Sequence, residues 1–321
     1  MKNKALFLCY TPLQMVIAEK IIQKNSLVDF DTFVFCEKEN DKYNYYYHRL
    51  QILSNNSVIF FQKPKNKFLN MLNFFCFKKF YKRSFMNKTR YEAFYLASID
   101  NRFFQYVISK SIGDFDILTF DDGLANIIQN SIYLNSESFF KKAVLYLMGV
   151  RYFTHDLWCK SSKHYSIYRD IPNVFFNVEN IHLFESGSTI SDKEVKEIKI
   201  FLGQPFNEVF DSSSKQYIAK IIKLFSIDYY FPHPREREPF IGESEIINTS
   251  LIFEDYIVDL MEENPNLRLK LYAITSGAVL NFINNPNIEI NYIKNNFLQS
   301  RYESFYDLIE RLEVNLKHVE I

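Results

Sequence analysis

Glycine is scarce in this chain: only seven of its 321 residues are glycine, and neither GxGxxG nor GxxxxGKS/T occurs. Both motifs build phosphate-binding loops from glycines, so their absence argues against P-loop nucleotidases and ordinary dinucleotide-binding domains. A chain so sparing with glycine is expected to keep it where the backbone needs a positive φ or approaches a ligand closely. The positions of the remaining glycines are therefore informative.

Net charge, disulfide patterns and long apolar runs are also missing. Basic and acidic residues both number 38, so no overall field favours nucleic acid. Cys9, Cys36, Cys76 and Cys159 include no CxxC pair and stand mostly in apolar runs, which predicts reduced core thiols and no zinc site. The apolar stretch 5–10 is too short for a signal peptide, and no run approaches the ~18 residues of a spanning helix. We expect a cytoplasmic protein, soluble or peripheral.

Aromatic residues are abundant, with 33 Phe and 22 Tyr, and this apolar content excludes wholesale disorder. Residues 63–90 carry nine basic residues and no acidic one, interleaved with Phe and Tyr. Such a segment is typical of a membrane-surface patch, where basic groups meet anionic headgroups and rings lie at the interface. The alternative, which we favour, is a helix whose Phe face is core and whose Lys face is solvated.

Short apolar runs alternate with longer amphipathic ones, which predicts an α/β fold with parallel sheets. A small, polar stretch at 186–192 separates two such series, so we predict two domains, 1–187 and 193–321. The predicted strands are 5–10, 32–36, 58–61, 94–98, 117–120, 198–202, 227–231, 268–273 and 288–293. Because open α/β sheets bind ligands beyond the carboxyl ends of their strands, functional residues should directly follow strands.

Polar motifs follow four of these strands and contain three of the seven glycines. They are Asp-Asp-Gly at 121–123, Gly-Gln-Pro at 203–205, Pro-His-Pro-Arg-Glu at 232–236 and Thr-Ser-Gly at 275–277. His233 lies between two prolines, which hold the neighbouring backbone extended, and Arg235 follows. Together with the hydroxyls of a Thr-Ser-Gly turn that opens a helix, these residues predict a phosphate site. The alternative is a packing histidine in an ordinary turn.

Three acidic positions are open to more than one interpretation. Asp121 and Asp122 are compatible with a general-base pair, a metal-binding pair or an Asp-Gly turn, although few other clustered acids support a metal. Asp211 suits the cap of the following helix, and Glu254 suits either the dipole of its helix or the two hydroxyls of a ribose. The remaining histidines are expected to be structural or surface residues: His48, His155, His164, His182 and His318.

Six short motifs follow one another in the order seen in glycosyltransferase family 52, the bacterial lipooligosaccharide sialyltransferases, which the chain resembles from about residue 5 to residue 295. They are CYTPLQ (9–14), FDDG (120–123), LGQP (202–205), PHPRE (232–236), IFEDYI (252–257) and TSGA (275–278). The resemblance implies GT-B architecture, with two Rossmann-like domains facing across a cleft. It also implies that the N-terminal domain holds the acceptor and the C-terminal domain the CMP-sugar donor.

The resemblance implies an inverting, metal-independent and cofactor-free transfer of sialic acid from CMP-sialic acid to a terminal galactose. The acceptor would be lipooligosaccharide or a related bacterial surface glycan, with α2,3 linkage. His233 would contact the donor phosphate and act as general acid. The base would be Asp211, which follows the glycine–proline loop; because that loop is longer here, Glu208 is a second candidate. In two related sialyltransferase families the base belongs to the acidic-acidic-glycine motif, which indicates Asp121 or Asp122.

The resemblance also implies substrate contacts. Glu254 would hold the ribose and Thr275 and Ser276 the phosphate. The full set of donor contacts is Gly203, Gln204, Pro205, His233, Arg235, Glu254, Thr275, Ser276 and Gly277. Thr11 and Gln14, at the first strand–helix turn, are our candidates for acceptor contacts.

Two other functions are compatible with these motifs. One is a GT-B transferase with another donor, such as CMP-linked Kdo, because phosphate and ribose contacts do not report the sugar. The other is a catalytically silent glycan- or nucleotide-binding protein. As partners we expect the nucleotide sugar and the glycan, without nucleic acid; a homodimer and peripheral contact with the inner face of the cytoplasmic membrane are compatible with the sequence.

Overall fold

The computed structural model describes residues 4–36, 39–62, 67–128, 131–183, 196–206, 214–233, 236 and 242–320. The chain divides into two compact units, Met1–Leu183 and Phe184–Ile321, and a parallel sheet forms the centre of each. The predicted α/β class with parallel sheets is therefore confirmed. The polar stretch 186–192, which we interpreted as a linker, lies outside the described residues.

The first unit contains a seven-stranded sheet in the order β3-β2-β1-β4-β5-β6-β7. Its strands are β1 (Lys4–Cys9), β2 (Asp29–Cys36), β3 (Asn56–Phe61), β4 (Ala93–Leu96), β5 (Asp116–Phe120), β6 (Ser161–Ser166) and β7 (Val178–Asn180). Its helices are α1 (Pro12–Lys24), α2 (Asp41–Ile52), α3 (Lys67–Arg83), α4 (Arg102–Ser109), α5 (Phe139–Leu147) and α6 (Thr154–Lys160). Short 3₁₀ helices span Phe85–Asn87 and Ile132–Leu134.

The second unit contains a six-stranded sheet in the order β10-β9-β8-β11-β12-β13. Its strands are β8 (Lys196–Leu202), β9 (Tyr229–Phe231), β10 (Glu245–Ile246), β11 (Leu267–Ala273), β12 (Ile288–Lys294) and β13 (Asn315–His318). Its helices are α7 (Ser214–Phe225), α8 (Phe253–Glu263), α9 (Asn296–Arg301) and α10 (Glu303–Arg311). The Thr-Ser-Gly turn opens a helix, as expected, but this is a five-residue 3₁₀ helix, Ala278–Phe282.

Both sheets have the strand order of a Rossmann fold. When the strands of each unit are numbered along the chain, the order across both sheets begins 3-2-1-4-5-6. The order therefore reverses between strand 1 and strand 4 of each unit. The reversal places a crevice beyond the carboxyl ends of those two strands, because the connections leave on opposite sides there. In the first unit the strands concerned are β1 and β4, and in the second unit they are β8 and β11.

All nine predicted strands are present with adjusted ends, and the described residues contain four further strands that were missed. The missed strands are β6, β7, β10 and β13, whose sequences are SSKHYS, VEN, EI and NLKH. These segments are short and polar and lie at or next to a sheet edge, so they lack the alternation of apolar residues that reveals a strand.

The core of the first unit is largely aromatic, and α3 contributes to it. Phe74 and Phe77 of this helix are fully buried, and the Phe77 ring lies 5.0 Å from that of Phe103 in α4. The core interpretation of these α3 rings is therefore confirmed. The expectation of four core thiols was only half right, since Cys76 and Cys159 are exposed. In the described part of the chain, none of the helices combines the length and apolar character needed to span a bilayer.

Candidate functional site

Two clusters of polar side chains lie beyond the carboxyl ends of the strands, one in each unit. Each lies where the strand order reverses, as expected for a ligand site on an open α/β sheet. The first joins the loops after β1, β4 and β5, and the second joins the loops after β8 and β11.

The loop after β1 supplies Thr11 and Gln14. Both side chains form hydrogen bonds with other groups of the protein. Thr11 caps α1, its hydroxyl accepting a hydrogen bond from the Gln14 N–H at 3.3 Å. The buried Gln14 side chain accepts from the Tyr10 N–H at 2.6 Å. Its Nε2 donates to the Ser98 hydroxyl at 2.9 Å and to Oδ1 of Asp122. Gln14 therefore links three strand ends, and this contact set favours a positioning role over direct acceptor contact.

Asp122 is the carboxylate on which these loops converge. Its Oδ2 accepts hydrogen bonds from the Ser98 hydroxyl at 2.8 Å and from the Tyr133 hydroxyl at 2.9 Å. Its Oδ1 accepts from Gln14, which leaves one lone pair of that oxygen without a donor among the described residues. Burial raises the pKa of Asp122 to about 6, although the three hydrogen bonds pull it down. A carboxylate with such a pKa is suited to general-base work near neutral pH.

Asp121, the preceding residue, has a different environment. Its fully buried carboxylate accepts from His164 Nε2 at 2.9 Å and Asn173 Nδ2 at 3.3 Å. It also accepts from the Ser166 hydroxyl at 2.7 Å and the Ile167 N–H at 2.6 Å. Four donors fill the acceptor capacity of a carboxylate. Asp121 therefore ties β5 to β6, and this geometry argues against its role as a base.

The turn after these aspartates depends on glycine. Gly123 has φ of +72°, a left-handed conformation that glycine adopts without steric cost.

His164, which we expected to be a structural or surface residue, is fully buried, and its ring stacks on Phe175 with the ring centres 4.3 Å apart.

In the second unit, Gln204 joins the loop after β8 to the turn after β11. Its Nε2 donates to the Thr275 hydroxyl at 2.9 Å, and its Oε1 accepts from the Thr275 N–H at 3.2 Å. The buried Tyr292 hydroxyl donates to the Ser276 carbonyl at 2.7 Å. The predicted contacts in 203–205 and 275–277 thus meet within one unit, and the turn is held on two sides.

The loop that carries His233 is held by Glu236. One carboxylate oxygen of Glu236 accepts from the Tyr230 hydroxyl at 2.5 Å, and the other accepts from the His233 N–H at 3.2 Å. Burial raises the pKa of Glu236. A Cβ on Gly203 would lie 2.6 Å from the Tyr230 hydroxyl oxygen and 2.8 Å from Glu236 Oε2, so no side chain fits there.

The remaining predicted site residues divide into described and undescribed positions. Glu254 is buried in the first turn of α8, where its Oε1 accepts from Asn281 Nδ2 at 3.1 Å, and Pro205 is buried beside Gln204. Three predicted site residues lie outside the described residues: Glu208, Asp211 and Arg235. Among the described residues, no group of three or more His, Cys, Asp or Glu side chains could hold a metal ion.

Sequence reasoning missed three residues of these clusters. Ser98 lies two positions after β4 and was assigned to the strand itself, so its place beyond a strand end was a usable signal. Tyr133 follows Asp122 by eleven residues, and no motif indicates it. Glu236 was included in the histidine motif, but its bonds to that loop were not foreseen.

The sequence is similar to one protein family and to individual bacterial enzymes. A model of glycosyltransferase family 52 matches residues 29–296. The chain is 33% identical over 317 residues to a CMP-N-acetylneuraminate:beta-galactoside alpha-2,3-sialyltransferase of Pasteurella multocida (strain Pm70), covering 97% of this chain and 98% of the relative. It is 30% identical over 301 residues to an N-acetyllactosaminide alpha-2,3-sialyltransferase of Neisseria meningitidis serogroup A / serotype 4A, covering 90% of this chain and 78% of the relative.

Solved structures show the same fold at low identity. The glycotransferase of kitacinnamycin has a TM-score of 0.52 at 8% identity, over 100% of this chain and 87% of that one. TcCGT1 in complex with UDP has a TM-score of 0.51 at 8% identity, over 100% of this chain and 86% of that one. At such identity the likeness concerns the fold alone.

Proposed function

The chain belongs to glycosyltransferase family 52, and from this premise we propose that it transfers sialic acid from CMP-sialic acid to the terminal galactose of a glycan, in α2,3 linkage. The observation that carries the proposal is the likeness to curated alpha-2,3-sialyltransferases along nearly the whole chain. We further propose a bacterial surface glycan, such as lipooligosaccharide, as the acceptor. A cytoplasmic site for the reaction fits the four free cysteines, because thiols stay reduced there.

We assign the donor to the second unit. His233 and the turn of Thr275 and Ser276 contact the phosphate of CMP, and Glu254 accepts hydrogen bonds from the ribose hydroxyls. The bonds of Gln204 to Thr275 and of Tyr292 to the Ser276 carbonyl support this assignment, because a binding turn fixed in advance loses less entropy when the ligand binds.

We assign the general base to Asp122 in preference to Asp121. Asp122 combines a raised pKa with an available acceptor site on Oδ1, whereas four donors occupy Asp121. Glu208 and Asp211 stay candidates, since they lie outside the described residues.

The proposed reaction is a single displacement with inversion at the anomeric carbon of sialic acid. The galactose hydroxyl oxygen bonds to the anomeric carbon of sialic acid as its proton passes to the base. The bond from that carbon to the phosphate oxygen breaks, and CMP leaves with the electron pair and takes a proton from His233. An oxocarbenium-like transition state needs charge stabilisation on the leaving phosphate. We assign this to protein groups without a metal.

The test is incubation of the protein with CMP-sialic acid and lactose, with CMP release and the sialylated product measured together. We expect transfer by the wild type and loss of most of it in His233→Ala. A protein that neither transfers nor hydrolyses the donor would contradict the proposed activity.

The base is tested in the same assay with Asp122→Asn, Glu208→Gln and Asp211→Asn. Because a positioned base contributes about 100-fold or more to rate, Asp122→Asn should lower kcat by at least that factor while CMP binding persists. If Asp211→Asn is the inactive variant and Asp122→Asn is not, the base assignment is wrong although the activity stands.

A further inference from the structure

Helix α5 exposes the side chains that a surface helix normally buries. Among the apolar residues of its sequence, FFKKAVLYL, only Leu145 is buried, whereas Phe139 is 89% exposed and Leu147 86% exposed. Phe140, Val144 and Leu147 follow one another at spacings of four and three and are also exposed. These spacings place the three side chains on one helix face. A soluble helix usually turns such a stripe toward the core, and a contiguous exposed stripe indicates an interaction surface.

The turn after α5 lies beside Lys110, the residue that follows α4. A Cβ on Gly149 would lie 3.1 Å from the Lys110 ammonium nitrogen. Lys110 in turn lies 5.1 Å from the centre of the Tyr106 ring, and Lys78 of α3 lies 5.6 Å from the same ring. Burial lowers the pKa of Lys78, and the charges of Lys110 and Lys82 lower it further, so positive charge is clustered here. A group of lysines, Lys110 together with Lys78 of the basic segment, therefore lies near the turn that follows α5.

Both sequence segments lack acidic residues, although Glu137, which accepts hydrogen bonds from Thr154, directly precedes the second one. Residues 63–90 contain nine basic and no acidic residues, and residues 138–155 contain Lys141, Lys142 and Arg151 and no acidic residue. Protein–protein interface cores are depleted in lysine, and a two-fold contact between copies would place this positive surface against itself. Apolar side chains beside lysines are instead typical of elements that lie in the headgroup region of a membrane.

We infer that α5, together with the lysines of α3 and with Lys110 after α4, docks on an anionic lipid surface, with Phe139, Phe140 and Leu147 entering the interface. A membrane patch at 63–90 was the less favoured of the two interpretations of the sequence, and two of its central rings, those of Phe74 and Phe77, belong to the core. The lipid-facing rings come from α5, and the α3 segment contributes charge. The inference does not depend on the transfer reaction.

The test is sedimentation of the full chain with vesicles of phosphatidylcholine, with and without phosphatidylglycerol. We expect retention only on the anionic vesicles. Leu147→Ser should lower the partition coefficient about tenfold, as loss of a buried leucine implies. Lys141→Gln should lower it about fivefold, since each basic residue near an anionic surface contributes about that factor.

Matched controls come from elsewhere on the chain. Leu27→Ser removes an equally exposed leucine, at 82%, and Lys223→Gln removes an exposed lysine of α7; neither should change retention. CMP release with lactose should stay at the wild-type level in all four variants, which shows that they fold. Failure of the wild type to bind, or equal binding by Leu147→Ser, would overturn the inference. So would a wild-type dimer that Leu147→Ser converts to a monomer, since a second copy would then cover the stripe.

Discussion

Replacing Tyr133 with phenylalanine should move the acid limb of the pH–rate profile upward. The Tyr133 hydroxyl donates to Oδ2 of Asp122 at 2.9 Å and stabilises the charged carboxylate, which lowers its pKa. A hydrogen bond to a charged group contributes about 1.5 kcal/mol, and one pKa unit corresponds to about 1.4 kcal/mol. The pKa of Asp122 should therefore rise from about 6 to about 7 in the variant.

The sign follows from the role of a base, which works only when deprotonated. With a pKa of about 6, roughly half of the wild-type Asp122 carboxylates are ionised at pH 6, against about a tenth in Tyr133→Phe. At about pH 8 the two proteins should differ by only about a tenth, because Asp122 is then largely ionised in both. The variant is thus expected to be about fivefold slower at the lower pH and close to wild type at the higher.

The assay is kcat/KM for lactose, followed by CMP release from about pH 5 to about pH 9, since this quantity reports the ionisation of the free enzyme. Tyr45→Phe, which changes a partly exposed ring, is the matched control and should leave the limb in place. If the midpoint of the acid limb in Tyr133→Phe stays near the wild-type pH, Asp122 is not the titrating base. A uniform loss at every pH would indicate that Tyr133 acts only through packing.

Three further outcomes are expected. Asp121→Ala should destabilise the fold by about 3 kcal/mol in urea unfolding, because a buried histidine and three further donors lose their acceptor; Asp114→Ala, at an exposed site, should change stability by less than about 0.5 kcal/mol. Gln204→Ala should weaken CMP binding about tenfold by calorimetry, through loss of two hydrogen bonds, while Gln299→Ala, which is exposed, leaves it unchanged. Gly203→Ala should cost about 1 to 3 kcal/mol of stability through overpacking, and unchanged stability would contradict the close contacts inferred there.

The strands that carry both sites were predictable from the pattern of their apolar residues. β1, β5, β8 and β11 are buried over most of their length; β1 is a nearly continuous apolar run, and in β11 apolar residues alternate with Arg268 and Lys270, and both patterns are typical of a strand. The residues directly after them could be predicted as well. Polar strands at or near an edge could not be predicted. The sequence of β6 is SSKHYS, and its buried His164 and Ser166 are polar residues that bond to Asp121.

The difference between the two adjacent aspartates could not be predicted from the sequence. Their roles depend on which donors surround them, and those donors come from distant segments. Ser166 at the end of β6 and Asn173 in the loop after it reach Asp121, whereas Gln14 and Ser98 reach Asp122 from earlier strand ends. The motif alone places two carboxylates at a strand end, and tertiary contacts decide which of them stays available.

A shared construction explains how a glycine-poor chain shapes both loops. Gln14 follows the first strand of its unit, and Gln204 follows the first strand of the other. Each is buried, and each bonds to a hydroxyl in the loop after the fourth strand, Ser98 in one unit and Thr275 in the other. Glycine-rich loops approach a phosphate closely because they lack side chains. Here a buried amide fixes the loop at the point where the strand order reverses, and this arrangement presents carboxylate and hydroxyl groups without a run of glycines.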